Sequence, residues 1–283
     1  MNETHMEHTE ECGICGQVLT YADEGRSLIC SLCDRSEIGH VYCPGGHYLC
    51  ESCHGAAVRD LLPQILKGSG ATSPQESAEE LFALPQLPML GCEHALIAAG
   101  SLMTALKNRG DLGVTDRHVA EALQRTERQA ISAYCGLSGV CGIVPALGAC
   151  YSVLVGAQCG RGPETRATME LVSRLASITA QEAEPGCCKA SVRSCLAETE
   201  RFLEERLGIP ASEKTVIVCR DVDRHPHGCR GASCAYHPGH SDSMPAPSGP
   251  AVARSETAEE VEEAPGSGTR FATTPLVEAA GCT

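Results

Sequence analysis

Residues 143–157 read IVPALGACYSVLVGA, a stretch with no charged side chain and almost only apolar or small ones. A helix with no polar face has no side to present to water, so this segment reads as a central helix surrounded by others. It decides the fold class: mainly α. The composition agrees. Aromatic residues are 3% of the 283 and Trp is absent. The core must therefore be built from Ala, Leu, Ile, Val and Cys, which favours closely packed helices.

Working outward, Leu96, Ile97, Leu102, Met103 and Leu106 recur at helical spacing after Cys92, and Gly110 is a natural stop. A second helix is expected from the N-cap residue Thr115 to about Ala133. Beyond the central stretch, helices are expected over about 163–179 and from Cys187 to about Leu207, the latter opened by Pro185-Gly186 and closed by Gly208. Thr215–Cys219, TVIVC, is the one convincing strand. Upstream, residues 55–67 and Glu76–Leu84 read as short helices. The chain thus divides into a flexible N-terminus (1–11), a metal-binding module (12–54), a helical linker (55–91), a helical Cys-rich domain (92–240) and a disordered tail (241–283). The tail is rich in Pro, Ser, Ala and Glu and lacks periodicity.

The net charge is -14 with no basic stripe, which argues against a nucleic-acid backbone as partner, since phosphates need clustered Lys and Arg. No run of about 18 apolar residues exists, so no membrane span is expected. The start, Met1-Asn2-Glu3-Thr4-His5, lacks a basic and then apolar signal segment. There are 19 cysteines, an odd number, many in C-x-x-C pairs. That pattern points to metal or redox chemistry in a cytoplasmic protein more than to a disulfide scaffold.

The module carries four ligand pairs: Cys12-x2-Cys15, Cys30-x2-Cys33, Cys43-x3-His47 and Cys50-x2-Cys53. Zinc takes four thiolate or imidazole ligands in a tetrahedron, and a C-x-x-C turn offers two thiolates with backbone amides free to bond sulfur. Eight ligands make two zinc sites, and a segment with so little apolar content needs the metals to fold. Spacing leaves the connectivity open. Sequential pairing, a zinc ribbon with Cys12, Cys15, Cys30 and Cys33 on one ion, is preferred. A cross-brace would pair first with third and second with fourth. His40 and His54 are spare candidates.

Four features of the helical domain invite chemistry. Cys187 and Cys188 stand at a helix start, where free amides, the helix dipole and the charge of Lys189 are expected to lower a thiol pKa and make a nucleophile or ligand. Cys135 and Cys141 flank glycines that let backbone amides converge on an anion or a cluster's sulfides. Cys219, Cys229 and Cys234, with His225, His227, His237 and His240 nearby, read as a further metal site. Glu93 and His94 open a helix and are the acid/base candidates, although adjacent helical residues point about 100° apart. Cys150, Cys159 and Cys195 read as packing residues.

The order of these motifs resembles an uncharacterised domain-of-unknown-function family of anaerobic archaea and bacteria, over roughly residues 12–237. The residues that carry the likeness are Cys43-Pro-Gly-Gly-His47-Tyr-Leu-Cys50-Glu-Ser-Cys53-His54, Glu93-His94 with its Ala-rich helix, Gly139-Val-Cys141-Gly142, Cys187-Cys188-Lys189, and Cys219, Cys229 and Cys234. The resemblance implies no reaction. Where that family has a second His after the Glu-His pair, this chain has Ala95, which counts against the pair as metal ligands. Gly139–Ala146 and Cys187-Cys188 are also similar in kind to segments of iron–sulfur serine dehydratase and cysteine desulfidase enzymes. That fainter likeness implies Cys135, Cys141 and Cys187 or Cys188 gathered around a cluster with one open iron.

Two functions follow. One is a metal- or thiolate-dependent enzyme acting on a small, sulfur-containing or hydroxylated molecule, with Cys187, Cys188, His94 and Glu93 as catalytic groups and Cys135, Cys141 and Lys189 binding a cofactor, a further zinc or an iron–sulfur cluster. The other is a non-catalytic adaptor whose zinc module binds a protein partner. A methyltransferase is disfavoured, because it needs a glycine-rich strand–turn–helix.

Overall fold

A computed structural model describes residues 11–241, apart from 13, 16, 51, 52, 54, 55, 85, 86, 132, 133 and 214. The segments expected to be a flexible N-terminus (1–10) and a disordered tail (from 242) lie outside the described residues, as does His54. Among the described residues the chain forms one two-stranded sheet and eight α-helices, the mainly helical architecture that the apolar stretch implied.

The sheet belongs to the module. Strand β1 (Thr20–Ile29) pairs antiparallel with β2 (Ser36–Tyr42), with Thr20 opposite Tyr42 and Ile29 opposite Ser36. The turn between them is Cys30–Arg35, closed by Cys30 N–H on Arg35 O at 2.8 Å. These strands were not anticipated, because TYADEGRSLI is mostly polar and lacks the alternation that marks a half-buried strand. Conversely, Thr215–Cys219 is not a strand. Strong β propensity does not make a ladder without a neighbour to pair with, and Val216 stands 90% exposed.

Helices α1 (Ala56–Gly68) and α2 (Pro74–Phe82) pack on α3 (Glu93–Arg109), followed by α4 (Asp116–Glu127), the short α5 (Tyr134–Ser138), α6 (Ile143–Val155), α7 (Gly162–Gln181) and α8 (Cys188–Leu207). Thr115 caps α4 with a reciprocal bond to His118, and Gly110 and Gly208 end α3 and α8 in the left-handed conformation that favours glycine. Helix α4 stops at Glu127, short of Ala133, where Gln129 and Ala130 turn their amides back onto Thr126 O.

Of the apolar stretch, Ile143–Val155 forms α6, buried against α3, α4, α7 and α8, and Gly156 ends it. The most enclosed helix, however, is α3. Every residue from Glu93 to Leu106 is buried, and α1, α2, α4, α6 and α8 all touch it. Its small residues permit this. At Gly100 any side chain would run into Leu66 of α1. Val58, Leu62 and Leu66 of α1 and Ala78, Leu81 and Phe82 of α2 share one apolar core with α3, α6 and α8. The stretch expected to be a linker therefore packs as part of the helical domain. No described helix is long and apolar enough to cross a membrane.

Candidate metal centres

The module assembles two four-donor sites. Cys12, Cys15, Cys43 and His47 bring their donor atoms within 4.8 Å of one another, and so do Cys30, Cys33, Cys50 and Cys53. All eight expected ligands are used. The pairing is the cross-brace, not the preferred sequential one. The hairpin explains why. Strand β1 separates the first pair from the second: its two ends pair with the two ends of the seven-residue β2, which at about 3.3 Å per residue lie roughly 20 Å apart. The pairing of Thr20 with Tyr42 instead sets the entry to β1 beside the exit from β2, next to Cys43. The chain then runs back to the hairpin tip, where Ser31 N–H bonds Tyr48 O at 2.7 Å, and delivers Cys50 and Cys53 to Cys30 and Cys33.

The donor geometry fits a tetrahedral ion. Zn–S arms of about 2.3 Å at tetrahedral angles put sulfurs roughly 3.8 Å apart. Cys15 and Cys43 are 3.4 Å apart, Cys33 and Cys50 are 3.4 Å apart, and Cys12 Sγ lies 3.8 Å from His47 Nδ1. Backbone amides two residues on point at the leading sulfur of three pairs: Ile14 to Cys12 at 3.5 Å, Leu32 to Cys30 at 3.4 Å and Gly45 to Cys43 at 3.2 Å. Amides of Cys50, Leu32 and Cys33 hold the Cys30 thiol down to about 6. Cys53 is pushed up to about 12, because it shares protons with Cys33 and Cys50. Four thiols this close cannot all ionise without a cation, which is the chemistry of a metal site. His40 is in neither set and bonds Ala22 O.

In the helical domain the adjacent cysteines at the start of α8 diverge. Cys188 accepts a hydrogen bond from the Gly91 amide and feels the charges of Cys141, Cys187 and Cys135. Cys187 occupies the N-cap position, without a side-chain capping bond, and lines a different pocket with Cys219, Cys229 and Cys234. The expected lowering of their pKa does not occur. Burial raises both, Cys188 to about 12, since removing water from around a thiolate outweighs a helix dipole. Lys189 does not serve them either. Its ammonium is buried and bonds Asp221 at 2.8 Å and, more loosely, Phe82 O.

Glu93 and His94 also part company. Glu93 pairs with Arg59 of α1 through one carboxylate oxygen, and the other, Oε2, is buried against Gly91 with no hydrogen-bond partner among the described residues. His94 bonds Gly91 O through Nδ1 at 3.0 Å, faces Phe82, and leaves Nε2 buried with no hydrogen-bond partner among the described residues. Burial keeps the ring neutral, with its pKa down to about 4.

Cys92, which precedes α3, escaped the sequence reading. Its sulfur approaches Gly142, the residue after Cys141. Cys92, Cys141 and Cys188 therefore mark the N-termini of α3, α6 and α8, with Cys135 nearby in α5. The signal was visible as a cysteine directly before Glu93-His94. Cys150 and Cys195 are core residues and Cys159 is exposed.

These features define a mainly helical, Cys-rich protein with a cross-braced module able to hold two metal ions. The chain belongs to a family of unknown function (DUF5714), whose model matches residues 62–237. The match starts after the module, so the Cys43–His54 motif lies outside it. No curated protein and no solved structure matches the chain, and the fainter likeness to iron–sulfur dehydratases and desulfidases finds no support.

Proposed function

We propose that this is a metal-dependent enzyme whose two N-terminal ions are structural zinc and whose chemistry lies where α3, α6 and α8 begin. In this reading Cys92, Cys135, Cys141 and Cys188 hold an iron–sulfur cluster, and Glu93 acts as acid/base on a small, sulfur-containing or hydroxylated substrate. One observation carries it: Glu93 Oε2, buried and without a hydrogen-bond partner among the described residues, lies against Gly91, whose amide bonds the Cys188 sulfur. A buried carboxylate oxygen left unmatched costs free energy that folding alone does not explain. Cysteines at or beside the N-termini of α3, α6 and α8, where backbone amides are unpaired, also suit an anionic cluster.

Anaerobic purification followed by iron, sulfide and zinc analysis tests this. The reading expects metal beyond the module's two ions that is lost in Cys141→Ser and Cys188→Ser. Absence of iron, with unchanged metal in both variants, removes the centre.

A second reading, an adaptor, has its own support. The module exposes Ile14, Val18, Ile29, Leu32 and Ile38, each between 43% and 67%, on a surface where a protein partner would find apolar contact. Turnover of any small molecule that depends on Glu93 would count against it.

A further inference from the structure

The segment after α8, residues 209–241, contains only a three-residue helical turn among the described residues, Gly231–Ser233. It offers little to the apolar core beyond Ile209. Yet it returns to the start of α8 and stays there. Cys219 N–H bonds Tyr236 O at 2.7 Å, the Tyr236 hydroxyl meets Ser194 at 3.2 Å, and His225 meets Gly186 O at 2.9 Å. A loop without a core of its own needs some other fastening.

Between this loop and α8 lies a pocket lined by Cys187, Cys219, Cys229 and Cys234, with Arg193 and Arg230. Its free volume is about 20 Å³, room for about one water-sized occupant and for no organic molecule. Cys219 and Cys229 adopt the local conformation of the module's leading ligands. Asp221 N–H points at Cys219 Sγ at 3.4 Å, and Gly231 N–H at Cys229 Sγ at 3.4 Å. Those are the bonds that Ile14, Leu32 and Gly45 make to Cys12, Cys30 and Cys43. Four thiolates around a divalent ion leave two negative charges. Arg230 stands 3.8 Å from Cys234 Sγ, and Arg193, which also binds Glu79, is buried on the same wall.

We propose that Cys187, Cys219, Cys229 and Cys234 bind a third thiophilic divalent ion of the zinc class, which clamps residues 209–241 to the first turn of α8. Outside the module no three candidate donors among the described residues lie within 4.8 Å of one another. Closing the tetrahedron therefore requires side chains to turn. Rotation of a cysteine between staggered rotamers moves its sulfur by roughly 3 Å with the backbone fixed. Binding releases the four thiol protons to solvent.

The test is zinc content of the full-length protein, with iron and sulfide counted separately. Wild type is expected to hold three zinc ions of this kind. Cys219→Ser/Cys234→Ser should lose one, and Cys187→Ala should weaken the same site. Cys141→Ser/Cys188→Ser should leave this ion in place, which separates the proposal from the catalytic centre above. Trypsin cleavage after Arg220, Arg224 or Arg230 should accelerate at least tenfold in the first variant while helical circular dichroism is retained. If that variant does not fold, Co²⁺ replacement in the wild type decides instead: thiolate-to-cobalt absorption should correspond to eleven cysteine thiolates over three sites. A wild type with only two zinc ions, or a Cys219→Ser/Cys234→Ser protein that retains all three, overturns the proposal.

Discussion

Removing ligands in pairs reads the cross-brace directly. Cys15 and His47 belong to one site and Cys33 to the other. Cys15→Ala/His47→Ala therefore damages a single site and should cost one ion relative to wild type. Cys15→Ala/Cys33→Ala damages both and should cost two. A sequential ribbon gives the opposite assignment. The structure sets the scale of the contrast: donors of one site lie 3.4–3.8 Å apart, whereas the hairpin separates the first two pairs by roughly 20 Å. The energetic stake is large, since a structural zinc of this kind contributes about 10–16 kcal/mol at neutral pH. Among the described residues of 11–50, the only buried apolar side chains are Cys12, Cys30, Cys43 and Cys50, so burial cannot compensate. Metal counting by mass spectrometry on both double variants is the assay. Loss of one ion from Cys15→Ala/Cys33→Ala and two from Cys15→Ala/His47→Ala would refute the pairing.

Three further outcomes follow from the helical domain. Leu102→Ala, at a fully buried site in α3, should lower stability by about 2–5 kcal/mol through the cavity it leaves, read from urea unfolding; a loss below 1 kcal/mol would contradict the packing. His94 is neutral in the fold, with its pKa near 4 against an ordinary 6.5, so the unfolded chain binds the extra proton. Its contribution is intact above pH 6.5 and falls by about 3 kcal/mol as the pH drops to 4. His94→Leu should flatten that part of the stability–pH curve, and an unchanged slope would show that the ring titrates normally. Lys189→Met leaves Asp221 largely buried with only Arg224 beside it, at a cost of about 3 kcal/mol. Lys189→Met/Asp221→Leu should recover most of this, as a double-mutant cycle followed by thermal unfolding can measure.

What the sequence disclosed was chemistry that is local. The eight module ligands announce themselves by spacing, because a tight knuckle needs its two donors three or four residues apart. Gly110, Thr115 and Gly208 likewise mark helix ends through their own backbone preferences. What it withheld depends on contacts between distant segments. Connectivity of the two sites follows from a hairpin whose polar strands carry no periodic signature. TVIVC looked like a strand and is none, because propensity cannot supply a partner. The opposite directions of Cys187 and Cys188 follow from where α8 lands, with Cys141 on one side and Cys219 on the other. The same packing reversed the expected acidity of both thiols, since burial is a property of the fold and not of the neighbouring residues in the chain.

Helix α1 joins the two halves of the molecule in an unequal way. Its first residue, Ala56, donates its amide to Cys53 O at 3.2 Å, and Cys53 is a donor of the second site, while Val58, Leu62 and Leu66 are anchored in the domain core. The helix is therefore a lever with one end at a coordination sphere and the other in a dry interior. The coordination sphere at the hairpin tip and the dry interior of the domain are thus one 13-residue helix apart.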